Sequence, residues 1–97
     1  MNNKIIYSNN GKYFIENISV DEIEKKFDTP AYVYSKKSIL DSYRSFEEAF
    51  KTSNHLICFA VKANPNLAIL NLLANHGAGF DIVSGGELQR VIAAKGD

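Results

Sequence analysis

Leu56-Ile-Cys-Phe-Ala-Val-Lys62-Ala-Asn-Pro65 constrains the fold more than any other stretch of this chain. Six apolar or small residues run without a polar break, end on a single lysine and meet Asn-Pro at once. An apolar run bounded by turn signals predicts a strand over 56–62 buried on both faces, as in a parallel sheet covered by helices. Lys62 then stands where the strand leaves the core. An amine there is poorly solvated, which lowers its pKa and makes the neutral, nucleophilic form accessible. Such an amine at the mouth of a parallel sheet suits Schiff-base chemistry with an aldehyde. Taken alone, the run favours the plainer reading, a lysine that snorkels its charge out at a strand end.

The signals downstream of Lys62 alternate. Asn64 as N-cap, Pro65 at the first helical position and Gly77 as C-terminal cap bracket a helix with a broad leucine-rich face. Gly79-Phe-Asp-Ile-Val-Ser84 reads as a short strand with Asp81 in its middle. Gly85-Gly86 follows as a turn, and Glu87 to Lys95 as a helix with Leu88, Val91 and Ile92 inward, closed by Gly96. Another helix precedes the central strand, capped by Ser35 or Ser38, with Ile39, Leu40, Tyr43, Phe46 and Phe50 at helical spacing. The order β-α-β-α predicts a parallel sheet with right-handed crossovers.

Residues 1–34 read differently. Asn10-Gly11 supplies the positive φ angles of a hairpin turn between Lys4–Ser8 and Lys12–Glu16. Ser19-Val-Asp-Glu22 is a capping box for a short helix, which Asp28-Thr-Pro30 ends. Ala31-Tyr-Val-Tyr34 reads as a further strand. This part is expected to contribute to a separate β-domain, and residues 35–97 to begin an α/β domain.

With 97 residues the chain holds only two βα units, whereas a closed barrel takes about 250 residues. The N-terminal portion of a longer α/β protein is therefore expected. Eleven basic and eleven acidic residues cancel, leaving no electrostatic footprint for nucleic acid or an anionic membrane. No stretch approaches the ~20 apolar residues of a membrane span, and no apolar signal segment opens the chain. The lone cysteine, Cys58, excludes an intrachain disulfide and is expected as a buried structural thiol in a reducing compartment. A cytoplasmic location follows as the expectation, with no metal site. His55, at the entry end of the central strand, reads as a surface residue. His76, in a last helical turn, complements the helix dipole.

Three segments in this order and spacing carry a resemblance: Thr29-Pro-Ala-Tyr-Val-Tyr34, Phe59-Ala-Val-Lys62-Ala-Asn-Pro-Asn66 and Gly77-Ala-Gly-Phe-Asp81-Ile-Val-Ser-Gly-Gly-Glu87-Leu88. Together they resemble the diaminopimelate decarboxylase family of fold-type III pyridoxal-phosphate enzymes, which also includes ornithine and arginine decarboxylases and, more distantly, alanine racemase. The resemblance covers Thr29 to Asp97 and overturns the plainer reading of Lys62.

It implies that Lys62 is the catalytic lysine that carries pyridoxal 5'-phosphate, on the first strand of a (β/α)8 TIM-like barrel. Asp81 and Glu87 match acidic, cofactor-binding positions of the family. At Asp81 a structural hydrogen-bonding role inside the barrel competes with this, and at Glu87 a helix N-terminal acid does. The implied reaction is decarboxylation of meso-2,6-diaminopimelate to L-lysine by a full-length homodimer acting on a small amino acid. The groups for the ring nitrogen, the ring face, the phosphate and the second subunit's cysteine motif lie beyond Asp97 in these enzymes, so the 97 residues alone are expected to be inactive. The alternatives are an ornithine- or arginine-type decarboxylase, an amino-acid racemase, or a non-catalytic pyridoxal-phosphate carrier.

Overall fold

Residues 4–96 are described by a computed structural model. The chain divides into two compact units, Met1–Ser45 and Phe46–Asp97.

In the first unit, β1 (Ile6–Asn9), β2 (Lys12–Ile15) and β3 (Ile18–Ser19) form an antiparallel meander. The predicted turn is present, with Asn10 at φ 52° and Gly11 at φ 75°, a backbone that glycine adopts without steric cost. Tyr7 and Phe14 are register partners, and their rings stack with centroids 5.2 Å apart. Helix α1 (Val20–Phe27) starts as its capping box requires, the Glu22 N–H donating to Ser19 Oγ at 3.1 Å. It stops at Asp28, whose φ is 67°. Ser35 rather than Ser38 caps α2 (Lys36–Ala49), its Oγ accepting from the Ser38 N–H at 3.0 Å. The expected strand at Ala31–Tyr34 does not form. Extended residues become a strand only by pairing, and no described strand pairs with them; Tyr32 is 93% exposed.

The second unit holds the alternation. Its order is β4 (Cys58–Ala60), a 3-10 turn (Val61–Ala63), α3 (Leu67–Asn75), β5 (Gly79–Asp81) and α4 (Gly85–Ala93). β4 and β5 are parallel, with Cys58 opposite Gly79, Phe59 opposite Phe80 and Ala60 opposite Asp81. The Gly79 N–H donates to the Ile57 carbonyl at 2.9 Å, one step before the ladder. The strand is shorter than the predicted 56–62 because the chain curls at Val61, where the Asn64 N–H closes a turn on the Val61 carbonyl at 3.1 Å.

Helix α3 also begins later than predicted. Asn66, not Asn64, is its N-cap, Oδ1 accepting from the N–H groups of Ala68 at 2.9 Å and Ile69 at 3.4 Å. Asn64 Oδ1 instead accepts from the Asn66 N–H at 3.1 Å, an Asx turn that carries the chain past Pro65. Gly77 takes φ 89° beyond the helix end, as a C-terminal glycine should. At the end of α4 it is Lys95, at φ 63°, that turns left-handed, and Gly96 closes the turn by donating to the Val91 carbonyl at 2.8 Å.

Val61, Leu70, Val91 and Ala94 form the core, with Phe59, Phe80 and Ile82 packed against it. Both helices thus contribute to the cluster that covers one face of the sheet. The strand run was expected to be buried on both faces, but Cys58 and Ala60 are exposed and Phe59 is half-buried, because no described element covers the opposite face. Cys58 is accordingly an exposed thiol, not a buried one. Leu70 and Leu73 are buried inside the unit, while Phe46, Phe50 and Ile92 stay exposed.

Val61 and Leu70 are both 0% exposed, and burying each contributes roughly 1.5–3 kcal/mol. Leu70→Ala removes contacts at the centre of the cluster. It is expected to cost about 2–5 kcal/mol of stability, read as a lower urea unfolding midpoint; a loss below about 1 kcal/mol would place the core elsewhere.

Candidate active site

Successive strand side chains point to opposite faces, so β4 and β5 sort their residues cleanly. Phe59 and Phe80 face the helices, while Cys58, Ala60 and Asp81 lie on the open face. Lys62 comes two residues after Ala60, just past the C-terminal end of β4. Two features fix its backbone. Val61 beside it is fully buried, and Asn64 closes the turn that contains it. Lys62 itself is exposed, and among the described residues its amine has no hydrogen-bond or ion-pair partner. The poorly solvated setting expected for it is not supplied by residues 4–96, since the open face has no cover. The position at the strand mouth is as expected.

Asp81 is the last residue of β5 and is exposed, so it lies at the strand's end and not in its middle. The ladder ends there because its partner, Ala60, is the last residue of β4. Lys62 and Asp81 therefore stand at the same end of the parallel pair, at the exits of adjacent strands. Glu87, half-buried in the first turn of α4, belongs to the same end. Its side chain is engaged locally. Glu87 Oε1 accepts from the Val83 N–H at 3.1 Å, while Ser84 Oγ accepts from the Glu87 N–H at 3.1 Å. Ser84-Gly-Gly-Glu87 is thus a second capping box, signalled by the same Ser-x-x-Glu spacing as residues 19–22 but not singled out in the sequence. Helix α4 begins at Gly85, before the expected Glu87, because Ser84 is its cap. A Cβ built on Gly85 would meet nothing within 4 Å, so the space beside this turn is open.

A model of the pyridoxal binding domain of pyridoxal-dependent decarboxylases matches residues 36–97, more than half of the chain. The chain belongs to the pyridoxal-dependent decarboxylases. A diaminopimelate decarboxylase of Pseudomonas fluorescens is 56% identical over 86 residues, covering 89% of this chain and 21% of that protein. One of Haemophilus influenzae is 48% identical over 86 residues, again 89% of this chain and 21% of the relative. The crystal structure of diaminopimelate decarboxylase from M. jannaschii in co-complex with L-lysine superposes with a TM-score of 0.89 at 38% identity, covering 96% of this chain and 23% of that one. The chain thus spans about a fifth of the length of the relatives it matches.

Within this pyridoxal-binding domain the histidines stand apart from Lys62. His55 lies in the loop before β4, its Nδ1 2.9 Å from the Ser53 carbonyl and its Nε2 3.2 Å from Glu47 Oε2, with the Phe50 ring beside it. His76 Nδ1 lies 2.9 Å from the Leu72 carbonyl at the end of α3, which suits the dipole role expected of it. No helix among the described residues is long and apolar enough to cross a membrane, and none of their His, Cys, Asp and Glu side chains cluster as a metal-binding set.

The Ser53 carbonyl, followed by the Glu47 carboxylate, raises the His55 pKa above its ordinary 6.5. The protonated ring donates from both nitrogens, so its stabilising contribution is present below about pH 6.5 and is lost as pH rises through the higher folded pKa. An NMR titration should therefore show a midpoint above 6.5, and Glu47→Gln should lower it. A midpoint unmoved by that substitution would mean that the pair does not form.

Proposed function

We propose that this chain is the N-terminal part of a pyridoxal-phosphate-dependent enzyme that decarboxylates meso-2,6-diaminopimelate to L-lysine, with Lys62 holding the cofactor. The observation that carries this reading is the exposed, unpartnered Lys62 amine at the C-terminal end of a parallel strand. Active sites of (β/α)8 barrels lie at that end of the strands. Helices packed on one face of β4–β5, with the other face open, suit the start of such a barrel, whose interior would be the open face. In this reading residues 1–34 belong to a second β-domain and residues 35–97 begin the barrel. The family match starting at residue 36 supports that boundary. A cytoplasmic homodimer is the form proposed for the full-length protein.

The residues present suit pyridoxal phosphate. A free primary amine is the group that binds its aldehyde, and the turn at Gly85 leaves open space on the same end of the sheet. The cofactor, when bound, supplies an electron sink that lets carbon dioxide leave an amino-bearing carbon. Lys62 is the residue that would hold the aldehyde carbon of the cofactor, and its Nζ is the atom placed to accept or return a proton there. The buried Val61 and the Asn64 turn fix the Lys62 backbone at the mouth of the strand. Asp81 is proposed beside the cofactor, placing an acid near the cationic amine of the substrate, and Glu87 is proposed at the loop that borders it.

Carbon dioxide release from meso-2,6-diaminopimelate tests the reading in the full-length protein. Lys62→Ala should lower turnover by at least about 10³-fold, the upper end of what losing one preorganised group costs. Lys62→Arg should not rescue it, because a guanidinium stays protonated and cannot attack the aldehyde. Turnover above about a tenth of wild type in Lys62→Ala would overturn the assignment. The 97 residues alone should release carbon dioxide no faster than free cofactor.

A further inference from the structure

We infer that Glu87 is a positioning residue that acts on the site through the backbone of the β5–α4 loop, an inference that rests on the reading of the site given above. An ordinary capping box returns its N3 carboxylate to the N–H of the cap residue itself. Here Ser84 is the cap, yet Glu87 Oε1 takes the N–H of Val83, one residue further back. The carboxylate therefore spans from the first turn of α4 to the segment leaving β5. Between its two ends lie Ser84, Gly85 and Gly86, and Asp81 precedes Val83 by two residues.

Three observations say why this loop needs such a clasp. Gly85 and Gly86 occupy the first two helical positions, where glycine leaves the backbone freest. A Cβ on Gly85 would meet nothing within 4 Å, and one on Gly86 only Ser84 Oγ at 3.9 Å, so crowding does not hold this turn in place. Val83 is 73% exposed, so its side chain does not anchor the loop to the core either. Ile82 packs on the core before this segment and the Leu88 N–H donates to the Ser84 carbonyl at 3.1 Å after it; between them the side-chain bonds are the reciprocal pair, Ser84 Oγ with the Glu87 N–H and Glu87 Oε1 with the Val83 N–H. The other capping box in the chain shows the contrast. The Glu22 N–H donates to Ser19 Oγ, but among the described residues the Glu22 carboxylate makes no return bond. The return bond is made at the box that closes the mouth of β5, beside the exit of the strand that carries Lys62.

Glu87 thus holds the Gly85-Gly86 turn against the end of β5, beside Asp81 and Lys62. What the role needs is a hydrogen-bond acceptor, and a negative charge in contact with the cofactor is not required. The two can be separated because glutamine keeps the acceptor and loses the charge.

The test uses full-length protein as wild type, Glu87→Gln and Glu87→Ala. Amide hydrogen exchange at Val83 is read without cofactor, and pyridoxal phosphate affinity and kcat are read with it. In Glu87→Ala, exchange at Val83 should rise about tenfold or more, as a locally opened loop does. Pyridoxal phosphate affinity and kcat should fall together in that variant, and Glu87→Gln should restore all three to near wild type. An unchanged Val83 exchange in Glu87→Ala would overturn the inference. So would a loosened loop with normal affinity and kcat, which would make the clasp merely structural. Impairment in Glu87→Gln equal to that in Glu87→Ala, with normal loop exchange, would also overturn it and assign the charge a direct contact. Failure of the Lys62 reading looks different: Lys62→Ala would keep its turnover, while the exchange result in cofactor-free protein stood on its own.

Discussion

The three-residue parallel ladder between β4 and β5 is the constraint on which the rest of the site depends. Because strand side chains alternate, a slip of one residue would turn every side chain to the other face. Phe80 and Ile82 would leave the helices, and Asp81 would be driven toward an apolar cluster with no partner for its charge. The fully buried Val61 and Leu70 make that slip costly by holding the ladder against α3 and α4. The register and the core thus decide jointly that Lys62 and Asp81 emerge at one end of the sheet.

Much of this was legible because short-range chemistry governs it. Asn10-Gly11 demands a left-handed turn, Ser19-x-x-Glu22 demands a helix start, and both occur where the spacing placed them. The alternation after Leu56 gave the parallel pair, and the single polar residue closing the apolar run gave Lys62. The misreadings share another cause. Whether an apolar run is covered on both faces, or an extended segment finds a partner, depends on residues far away in sequence. Cys58 and Ala60 are exposed for that reason, and Ala31–Tyr34 remains unpaired. Asn64 and Asn66 compete as caps within three residues, and Pro65 between them does not decide the matter. Asp81 was misplaced within its strand because the partner strand, ending at Ala60, sets where the ladder ends.

The proposed site is therefore half of an arrangement. The chain supplies an amine, a nearby acid and a clasped loop, all hung on one sheet end. In the proposed function, the groups for the cofactor ring and phosphate come from outside these residues. Phe46, Phe50 and Ile92 are 57%, 50% and 62% exposed, apolar surface that the proposed barrel would cover. The same covering would enclose the open face of β4–β5 and give the Lys62 amine the drier setting that nucleophilic lysines need. In this proposal the local geometry comes from these residues, and the solvation from the rest of the protein.

Where the cofactor is attached tests the central claim most directly. Full-length protein incubated with pyridoxal phosphate, reduced with borohydride and digested should yield one labelled peptide, with the added mass on Lys62. The other lysines of this region, including Lys36, Lys37 and Lys95, should remain unlabelled. A label on any of them in preference to Lys62 would contradict the account, because it would separate the reactive amine from the mouth of the parallel pair.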